Sequence, residues 1–294
     1  MRVKKCFAVS IVLIVALIIL ITGKINIEGN NDNIYYRRAE NLKCIYYDEK
    51  YFINIKNFET KVNAGSIRGC ILPHHLTAKD LIHEVFQNIV NNKYETVVLI
   101  GPDHESADAG KTFTTLKNWQ TPFGVLKTDK KITVELLKND FIEENDYKLT
   151  SEHSISGIIP FVKYYLGDAQ VVSLAVTKQI KKKDIERMVQ YICENVDIDK
   201  TIFIASVDFS HYLDLDSANR MDSITMEAIE RRDINKIMTF SNDNLDSPPS
   251  IAVILKIMNS LGAENTCMLN HSNTELVVKK RMEETTSYLT YLFY

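Results

Sequence analysis

Histidines follow three apolar segments of this sequence, at the points where each segment gives way to polar residues. His74, His104 and His211 occupy these positions, and Asp208 lies shortly before the last of them. Imidazole and carboxylate groups are ligands of iron, zinc and manganese ions, and the same groups transfer protons in acid–base catalysis. These residues therefore predict a metal site or an acid–base site.

Two other histidines have simpler explanations. His75 directly follows His74, and in an extended chain successive side chains point to opposite faces, so only one of the two is expected to serve the site. We take His74 as the functional residue and His75 as its structural neighbour. His83 lies inside a predicted amphipathic helix and is assigned to structure.

Asp208 and His211 permit two interpretations. A hydrogen-bonded pair would let the carboxylate set the tautomer of the imidazole, as outer partners do around metals. Alternatively, Asp208 caps a helix or closes a local turn, which are common roles of Asp side chains.

Helix capping is a competing explanation for two more candidates. The segment "SEHSIS" is typical of a helix start, with Ser151 or Ser154 as the cap, so His153 is either a neighbour of the cap or a pocket residue. The segment "LDSPPS" also predicts a helix start, in which Asp246 would be the cap by pattern alone.

Other catalytic motifs are missing from the sequence. It contains no GxSxG segment, no cysteine beside a histidine and no glycine-rich phosphate loop. The sequence therefore gives no support for a serine or cysteine nucleophile.

Short apolar runs alternate with amphipathic segments of helical length through most of the chain. This alternation predicts an α/β fold with a central, mostly parallel sheet flanked by helices. Residues 111–129 are expected to form a hairpin, and the last residues a strand. Helices are predicted near 78–91, 154–166, 183–195, 217–230 and 251–261. Because ligands bind at the carboxyl ends of parallel strands, His74, His104 and Asp208 are expected at one rim.

Composition limits the class of partner. The 294 residues carry 35 Lys and Arg against 38 Asp and Glu, a formal net charge of −3. This balance, without a long basic stripe, argues against nucleic acid as a partner.

The N-terminal residues predict a membrane anchor. Basic residues precede an uncharged run from Cys6 to Gly23, which is about long enough to cross roughly 30 Å of hydrocarbon at 1.5 Å per residue. A cleaved signal peptide is the competing interpretation, but the run lacks an Ala-x-Ala-like end. We expect a signal anchor over 1–24, a polar linker over 25–42 and a single domain over 43–294. The basic flank places that domain on the extracytoplasmic side.

The cysteines of the predicted domain are widely spaced and form no CxxC pair. This spacing gives no support for structural zinc. We expect no obligatory disulfide among them. They are Cys44, Cys70, Cys193 and Cys267.

Several short motifs together resemble the Memo family, which is also called AmmeMemoRadiSam system protein B. They occur in the family's order from the end of the linker to the C-terminus: "PHH", "GPDH", "TPFG", "EHSI", "DFSH", "SPPSIAVIL" and "TTSYLTYLFY". The resemblance implies a fold like that of the class III extradiol dioxygenases, with a pocket that can hold iron. It also implies that His74 and His104 are metal-binding histidines and that Asp208, His211 and His153 line the pocket.

One departure from the family changes the expected ligand set. The metal-binding cysteine of the family aligns with Asp246, so the thiolate is absent. Together with His74 and His104, Asp246 would complete a two-histidine, one-carboxylate set that suits Fe(II), with copper and zinc as alternatives. After "EHSI", Ser156 and Ile158 stand where many relatives have Glu and a second polar residue, so this stretch contributes fewer polar groups.

The resemblance and the residues together leave three functions open. The first is an iron-dependent oxidoreductase that acts on a small molecule, with His211 or His153 moving protons and Asp208 orienting His211. The second is a non-catalytic protein that binds metal or a partner peptide. The third is a metal-dependent hydrolase.

Overall fold

The computed structural model describes residues 40–62, 67–105 and 109–294, and Asn41–Tyr294 form one compact unit. The predicted anchor at 1–24 lies outside the described residues, as does most of the predicted linker. Within the described ranges, no helix combines the length and the apolar composition that a membrane span needs. Asn41 and Leu42, which we expected in the linker, begin the first strand instead.

Strands in the described ranges form two sheets, and we number them in chain order. They are β1 (Asn41–Lys43), β2 (Gly69–Leu72), β3 (Thr96–Pro102), β4 (Thr112–Thr114), β5 (Asn118–Thr121), β6 (Gly124–Leu126), β7 (Ile142–Glu144), β8 (Gln170–Val176), β9 (Thr201–Ser206), β10 (Thr266–Asn273) and β11 (Ser287–Phe293).

Helices connect and cover these strands. The α-helices are α1 (Lys79–Ile89), α2 (Lys130–Leu136), α3 (Asp146–Ser151), α4 (His153–Ser156), α5 (Ile159–Tyr165), α6 (Lys182–Asn195), α7 (Leu215–Glu230), α8 (Ile234–Ile237), α9 (Pro248–Leu261) and α10 (Thr274–Val278). Short 3-10 helices occupy Glu49–Phe52, Leu76–Ala78 and Ile198–Lys200.

The larger sheet has eight strands in the order β10-β11-β2-β9-β3-β8-β4-β7. The central strands β2, β9, β3 and β8 pair in parallel. Antiparallel pairs join β10 to β11, β11 to β2, and β4 to β8. The α/β class is confirmed, but the sheet is mixed rather than mostly parallel. Between β10 and β11, residues 274–286 form the short helix α10 and a turn, and the chain returns in the opposite direction beside β10.

The smaller sheet has three strands in the order β1-β5-β6. Strands β5 and β6 form an antiparallel hairpin, with Thr121 opposite Gly124. The predicted hairpin over 111–129 is therefore confirmed for these two strands. It is wrong for β4, which joins the larger sheet beside β8.

Alternating apolar side chains fill a core on each face of the larger sheet. Val98 and Ile100 of β3 pack with residues of α2, α6 and α9. Val97 and Leu99 of the same strand pack on the other face with residues of α1 and α5. This period of two is what a strand covered by helices on both sides requires. The central strands are thereby held rigidly, with their carboxyl ends at one edge.

The predicted helix over 154–166 is interrupted. The chain forms α4 at His153–Ser156 and α5 at Ile159–Tyr165, with Pro160 in the first turn of α5. Proline has no backbone N–H and its ring clashes with the carbonyl four residues earlier, so one continuous helix through Pro160 would be strained. The break leaves α4 as a separate turn beside the end of β3.

The four cysteines of the described residues are free thiols. Cys70 is fully buried in β2, and burial raises the pKa of the Cys44 thiol to about 12. At neutral pH these two groups are therefore protonated and behave as small apolar residues.

Candidate metal centre

Three neighbouring strands deliver the candidate side chains to one edge of the sheet. His74 lies two residues after β2, Asp208 two residues after β9, and His104 two residues after β3. Since β2, β9 and β3 are adjacent and parallel, their carboxyl ends coincide. The expectation that these residues meet at one rim agrees with this geometry.

The carboxylate of Asp246 lies between the two histidines. Its Oδ2 atom is 3.1 Å from Nε2 of His74 and 3.5 Å from Nε2 of His104. The side chains of His74 and Asp246 are almost completely buried. The other carboxylate oxygen, Oδ1 of Asp246, is buried and has no hydrogen-bond partner among the described residues. A buried carboxylate oxygen is costly to leave unsatisfied, so this atom is suited to bind a cation.

The loop before α9 holds Asp246 in place. Ser247, not Asp246, is the N-cap of α9, since its side chain accepts a hydrogen bond from the backbone N–H of Ser250. The capping role that pattern alone gives to Asp246 is therefore wrong. An isolated bridge between Phe209 and Leu245 joins this loop to the chain after β9. Because Ser247 satisfies the helix end, the carboxylate of Asp246 is free to face the histidines.

The Nδ1 atoms of His74 and His104 both have hydrogen-bond partners. Oε1 of Glu152 lies 2.9 Å from Nδ1 of His104. Oγ of Ser206 donates to the carbonyl oxygen of Ser154 and lies 3.4 Å from Nδ1 of His74, from which it can accept. In each case the protein holds Nδ1, and Nε2 faces Asp246. Such outer partners fix the tautomer and orientation of metal-binding histidines.

Asp208 supports His74 rather than His211. Its Oδ1 accepts a hydrogen bond of 3.0 Å from the backbone N–H of His74, and its Oδ2 lies 3.6 Å from Nε2 of the same residue. Neither a cap nor a local turn explains Asp208, because these contacts span more than a hundred residues. The expected hydrogen bond between Asp208 and His211 is not formed among the described residues.

His153 completes a group of three imidazoles. Its ring stacks on that of His104 with centroids 4.5 Å apart and meets the ring of His74 edge-on at 4.8 Å. One ligand atom from each of these three histidines lies within 4.8 Å of the others, and the same holds for His74, Asp208 and Asp246. The N-cap of α4 is Glu152, not Ser151 or Ser154, and it accepts from the backbone N–H of Ser154. His153 is thus both a neighbour of the cap and a pocket residue.

A cavity of about 310 Å³ opens onto these residues. His211 lines it, and its Nδ1 atom is buried without a hydrogen-bond partner among the described residues. His75 also lines the cavity, and its Nδ1 lies 2.6 Å from the hydroxyl oxygen of Tyr288. An adjoining cavity of about 190 Å³ shares His104 and Asp246 with the first. The site is therefore large enough for a small molecule beside the ligand cluster.

The nearby carboxylates raise the pKa values of His74 and His104. Burial alone would lower the pKa of His74, but the nearby charges of Asp208 and Asp246 outweigh it and raise that pKa above its usual value. Burial also opposes the charge of His104, yet Asp246 and Glu152 raise the pKa of His104 to about 10. The site therefore stabilises positive charge beside Asp246.

The pKa values of the acidic partners, Asp246 and Glu152, are lowered. Burial would raise the pKa of Asp246, but His74 and His104 hold that pKa well below its usual range. Likewise, the contacts with His104 overcome burial and lower the pKa of Glu152 to about 2. His153 differs, because burial and then the charge of His74 lower its pKa to about 4. The cluster thus contains ionised carboxylates and one imidazole that stays neutral at pH 7.

Sequence reasoning missed Glu152 and Ser206. Glu152 lies 48 residues from His104 in the chain, and Ser206 lies 132 residues from His74. Glu152 adjoins the predicted His153, which is the one hint the sequence offers. Ser206 is the last residue of β9 and resembles any small strand residue.

Comparisons with known proteins agree with this fold and these motifs. The sequence model of the family described as Memo-like protein matches residues 34–292. A MEMO1 family protein of Pyrobaculum aerophilum is 24% identical over 267 residues, which cover 87% of this chain and 94% of that protein. A MEMO1 family protein of Methanococcus maripaludis strain C5 is 30% identical over 211 residues, which cover 68% of this chain and 72% of that protein.

A solved structure shows likeness in fold alone. The crystal structure of an uncharacterized protein from Escherichia coli K12 aligns with a TM-score of 0.51 at 10% sequence identity, covering 76% of this chain and 99% of that chain. The family match spans nearly all of the compact unit and agrees with the motifs from "PHH" to the C-terminal strand. The chain belongs to the family of Memo-like proteins.

Proposed function

We propose that this chain binds one divalent metal ion, Fe(II), through His74, His104 and Asp246, and acts as a metal-dependent oxidoreductase on a small molecule. The observation that carries the proposal is the approach of two Nε2 atoms to one carboxylate whose second oxygen is buried and unpartnered. Both histidines also have the outer partners that metal ligands require.

The spacing of these atoms fits a shared metal ion. Ligand atoms about 2.1 Å from a metal lie about 3.0 to 3.4 Å apart when they occupy neighbouring octahedral or tetrahedral positions. The separations between Asp246 and the two histidines, 3.1 and 3.5 Å, fall close to this range. A cation would also balance the buried charges of Asp208 and Asp246.

The chemistry of the donor set favours iron. Two imidazoles and one carboxylate, with room for further ligands, are the arrangement of non-heme Fe(II) sites. Copper and zinc are the alternatives, but the absence of a thiolate removes the soft ligand that would favour Cu(I). His153 forms a possible ligand group with His74 and His104, and Asp208 forms one with His74 and Asp246, so both are candidates for additional ligands.

The residues around the metal would position a substrate and move protons. When bound, Fe(II) would supply a Lewis acid and a redox centre. Glu152 and Ser206 hold the imidazoles of His104 and His74 in orientation. His211, with an unpartnered Nδ1, is suited to exchange a proton with a substrate in the cavity. His153, a neutral imidazole, is a second candidate for this role.

Oxygen consumption tests the proposed reaction. The full-length chain would be purified in detergent without oxygen, loaded with Fe(II) and mixed with a panel of oxygen-chelating small molecules. We expect dioxygen uptake that depends on at least one of them and disappears in the His74→Ala, His104→Ala double variant. Saturable iron binding without any uptake would refute the oxidoreductase and favour a non-catalytic metal-binding or peptide-binding protein. Hydrolysis of a panel compound without dioxygen uptake would favour the hydrolase.

We also propose that residues 1–24 anchor the chain and place the domain on the extracytoplasmic side. The uncharged run from Cys6 to Gly23 and the basic residues before it support this proposal. Expression of the full chain followed by alkaline carbonate extraction should leave it in the membrane pellet, and protease added outside the cell should degrade the domain. Release into the soluble fraction at a mass reduced by the N-terminal run would indicate a cleaved signal peptide instead.

A further inference from the structure

Two cavities adjoin the proposed metal centre, and a lysine lines the smaller one. The 310 Å³ cavity and the 190 Å³ cavity share three lining residues: His104, Asn242 and Asp246. Lys178 lines the smaller cavity and is the single Lys or Arg among the described residues that line either one. The smaller cavity therefore adjoins the proposed metal centre at His104 and Asp246, with Lys178 among its lining residues.

The ammonium group of Lys178 has no acidic partner among the described residues. Its Nζ atom donates a hydrogen bond of 2.9 Å to the side-chain oxygen of Asn242, which is a neutral group. A lysine has three N–H donors, and an Asn side chain adds two more through its amide nitrogen. This pair therefore retains donors for a ligand after its own hydrogen bond is made.

The acidic groups that line the two cavities are already matched by other positive groups. Asp103 lies 3.4 Å from Nζ of Lys148. Asp208 and Asp246 both face His74, and they would balance the two charges of a divalent metal. Among the described residues, Lys178 therefore has a neutral hydrogen-bond partner and no carboxylate within ion-pair distance. A negatively charged ligand group in the smaller cavity would be attracted to this lysine.

We propose that Lys178 and Asn242 form an anion-binding subsite, so that the substrate is a small molecule with a metal-chelating oxygen pair at one end and a carboxylate or phosphate at the other. This inference rests on the proposed metal centre at His74, His104 and Asp246. Asn242 lies at the junction of the cavities, where its backbone carbonyl also accepts from the N–H of His211. Lys178 would thus set specificity without contacting the reacting atoms.

A pair of probes that differ in one charge tests the subsite. The full-length chain in detergent is loaded with iron(III), whose complexes with catechols absorb visible light, and is titrated with 3,4-dihydroxybenzoate and with the neutral 3,4-dihydroxybenzamide. We expect the wild-type chain to bind the carboxylate more tightly by about fivefold or more, which is the scale of a partly exposed charge pair. The preference should decrease at high salt, because added ions screen the lysine.

Substitutions of Lys178 and of a control lysine separate binding at the subsite from general effects of charge. Lys178→Gln should bind both probes equally, while Lys178→Arg should keep the preference. Lys183→Gln removes the same charge from an exposed position on α6 and should behave as the wild type.

The outcomes distinguish this inference from the proposed function. Equal affinities of the two probes for the iron-loaded wild type, or an unchanged preference in Lys178→Gln, would overturn the subsite and leave the metal centre standing. Failure of the wild type to retain iron or to bind either probe would overturn the metal centre and the subsite with it.

Discussion

The carboxylate of Glu152 connects the proposed metal centre to the backbone of two loops. It accepts hydrogen bonds from the backbone N–H of His104 at 2.8 Å and from that of Ser154 at 2.9 Å. Its Oε1 atom also lies 2.9 Å from Nδ1 of His104. One buried side chain therefore fixes the position of the His104 loop, the start of α4 and the orientation of the imidazole.

Replacing Glu152 with Gln should weaken metal binding without removing a ligand. The amide oxygen can still accept hydrogen bonds, but the amide lacks the charge that makes the imidazole a better donor to the metal. Loss of such an outer partner typically costs 10- to 100-fold in metal affinity. Competition with a coloured chelator would measure the dissociation constant of the metal in the full chain.

Glu105→Gln is the matched control for this variant. Glu105 is exposed and lies next to His104 in sequence. The Glu105→Gln substitution therefore removes the same charge nearby without touching the imidazole. Equal metal affinities for Glu152→Gln and Glu105→Gln would show that Glu152 has no role in binding.

At the residue scale, the sequence could identify side chains but not their partners. His74 and His104 could be expected together because adjacent parallel strands end at one edge. Asp246 entered only through the family resemblance, since its own segment predicts a helix cap. Asp246 can face the two histidines because Ser247 takes the capping role. The pairing of Asp208 with His74 depends on the exact path of two loops, which spacing does not encode.

At the element scale, Gly101 determines how closely α4 approaches β3. A Cβ atom at this position would lie 2.6 Å from Oγ of Ser154 and 3.2 Å from the Cδ1 atom of Ile155. Oγ of Ser154 also donates to the carbonyl oxygen of Pro102. Any side chain at residue 101 therefore displaces the short helix that carries His153 and is capped by Glu152.

Gly101→Ala should lower both stability and metal affinity. Displacement of α4 moves Glu152 away from His104, and an overpacked contact of this kind costs about 1 to 3 kcal/mol in the free energy of unfolding. Urea unfolding and metal titration of the full chain would measure the two effects.

Gly69→Ala provides the comparison within the same sheet. A Cβ atom there would meet the flexible end of Met258 at 2.8 Å, in the core rather than beside the site. It should lower stability and leave metal affinity unchanged. Loss of metal affinity in both variants to the same extent would mean that general destabilisation, not the position of α4, is responsible.

The helix and strand order was largely predictable, whereas the connections near the site were not. The helical pattern of apolar residues locates α1, α6 and α9 to within a few residues; α6 buries one face, while α1 and α9 are buried on most sides. The break between α4 and α5 was missed, although Pro160 was visible in the sequence. A second break, between α3 and α4, places Glu152 and His153 at a helix start beside His74 and His104.

At the scale of the whole molecule, a buried histidine far from the site should make stability depend on pH. His83 is fully buried in α1, where Nε2 lies 2.7 Å from the carbonyl oxygen of Tyr51 and Nδ1 lies 2.9 Å from the hydroxyl of Tyr165. Burial lowers the pKa of His83 below its usual value of 6.5. The folded chain therefore resists a proton that the unfolded chain accepts.

Acidification below about pH 6.5 should destabilise the wild type more than His83→Gln. Below this pH the unfolded state binds more protons at residue 83 than the folded state, so the free energy of unfolding decreases as pH falls. Well above pH 6.5 the residue is neutral in both states and contributes no dependence on pH. Urea midpoints at pH 7.5 and 5.5 would show the difference between the two chains narrowing at the lower pH. A difference that stays constant would contradict this role of His83.

The overall fold class could be predicted because alternating strands and helices leave few arrangements for a core on both faces of a sheet. The antiparallel outer strands could not, since β4, β10 and β11 have the same composition whichever direction they run. The three-stranded sheet was also missed: β1, with three residues, is too short to show a period.

Metal content of Asp246→Ala is the most direct test of the proposed centre, because this carboxylate contacts both proposed histidine ligands. The full-length wild type, Asp246→Ala and the control Asp243→Ala, an exposed aspartate of the same loop, would be purified anaerobically, reconstituted with Fe(II) and assayed for bound iron. The account predicts near-stoichiometric iron in the wild type and the control, and little in Asp246→Ala despite an unchanged circular dichroism spectrum. Equal iron in all three proteins would contradict it and remove Asp246 from the site.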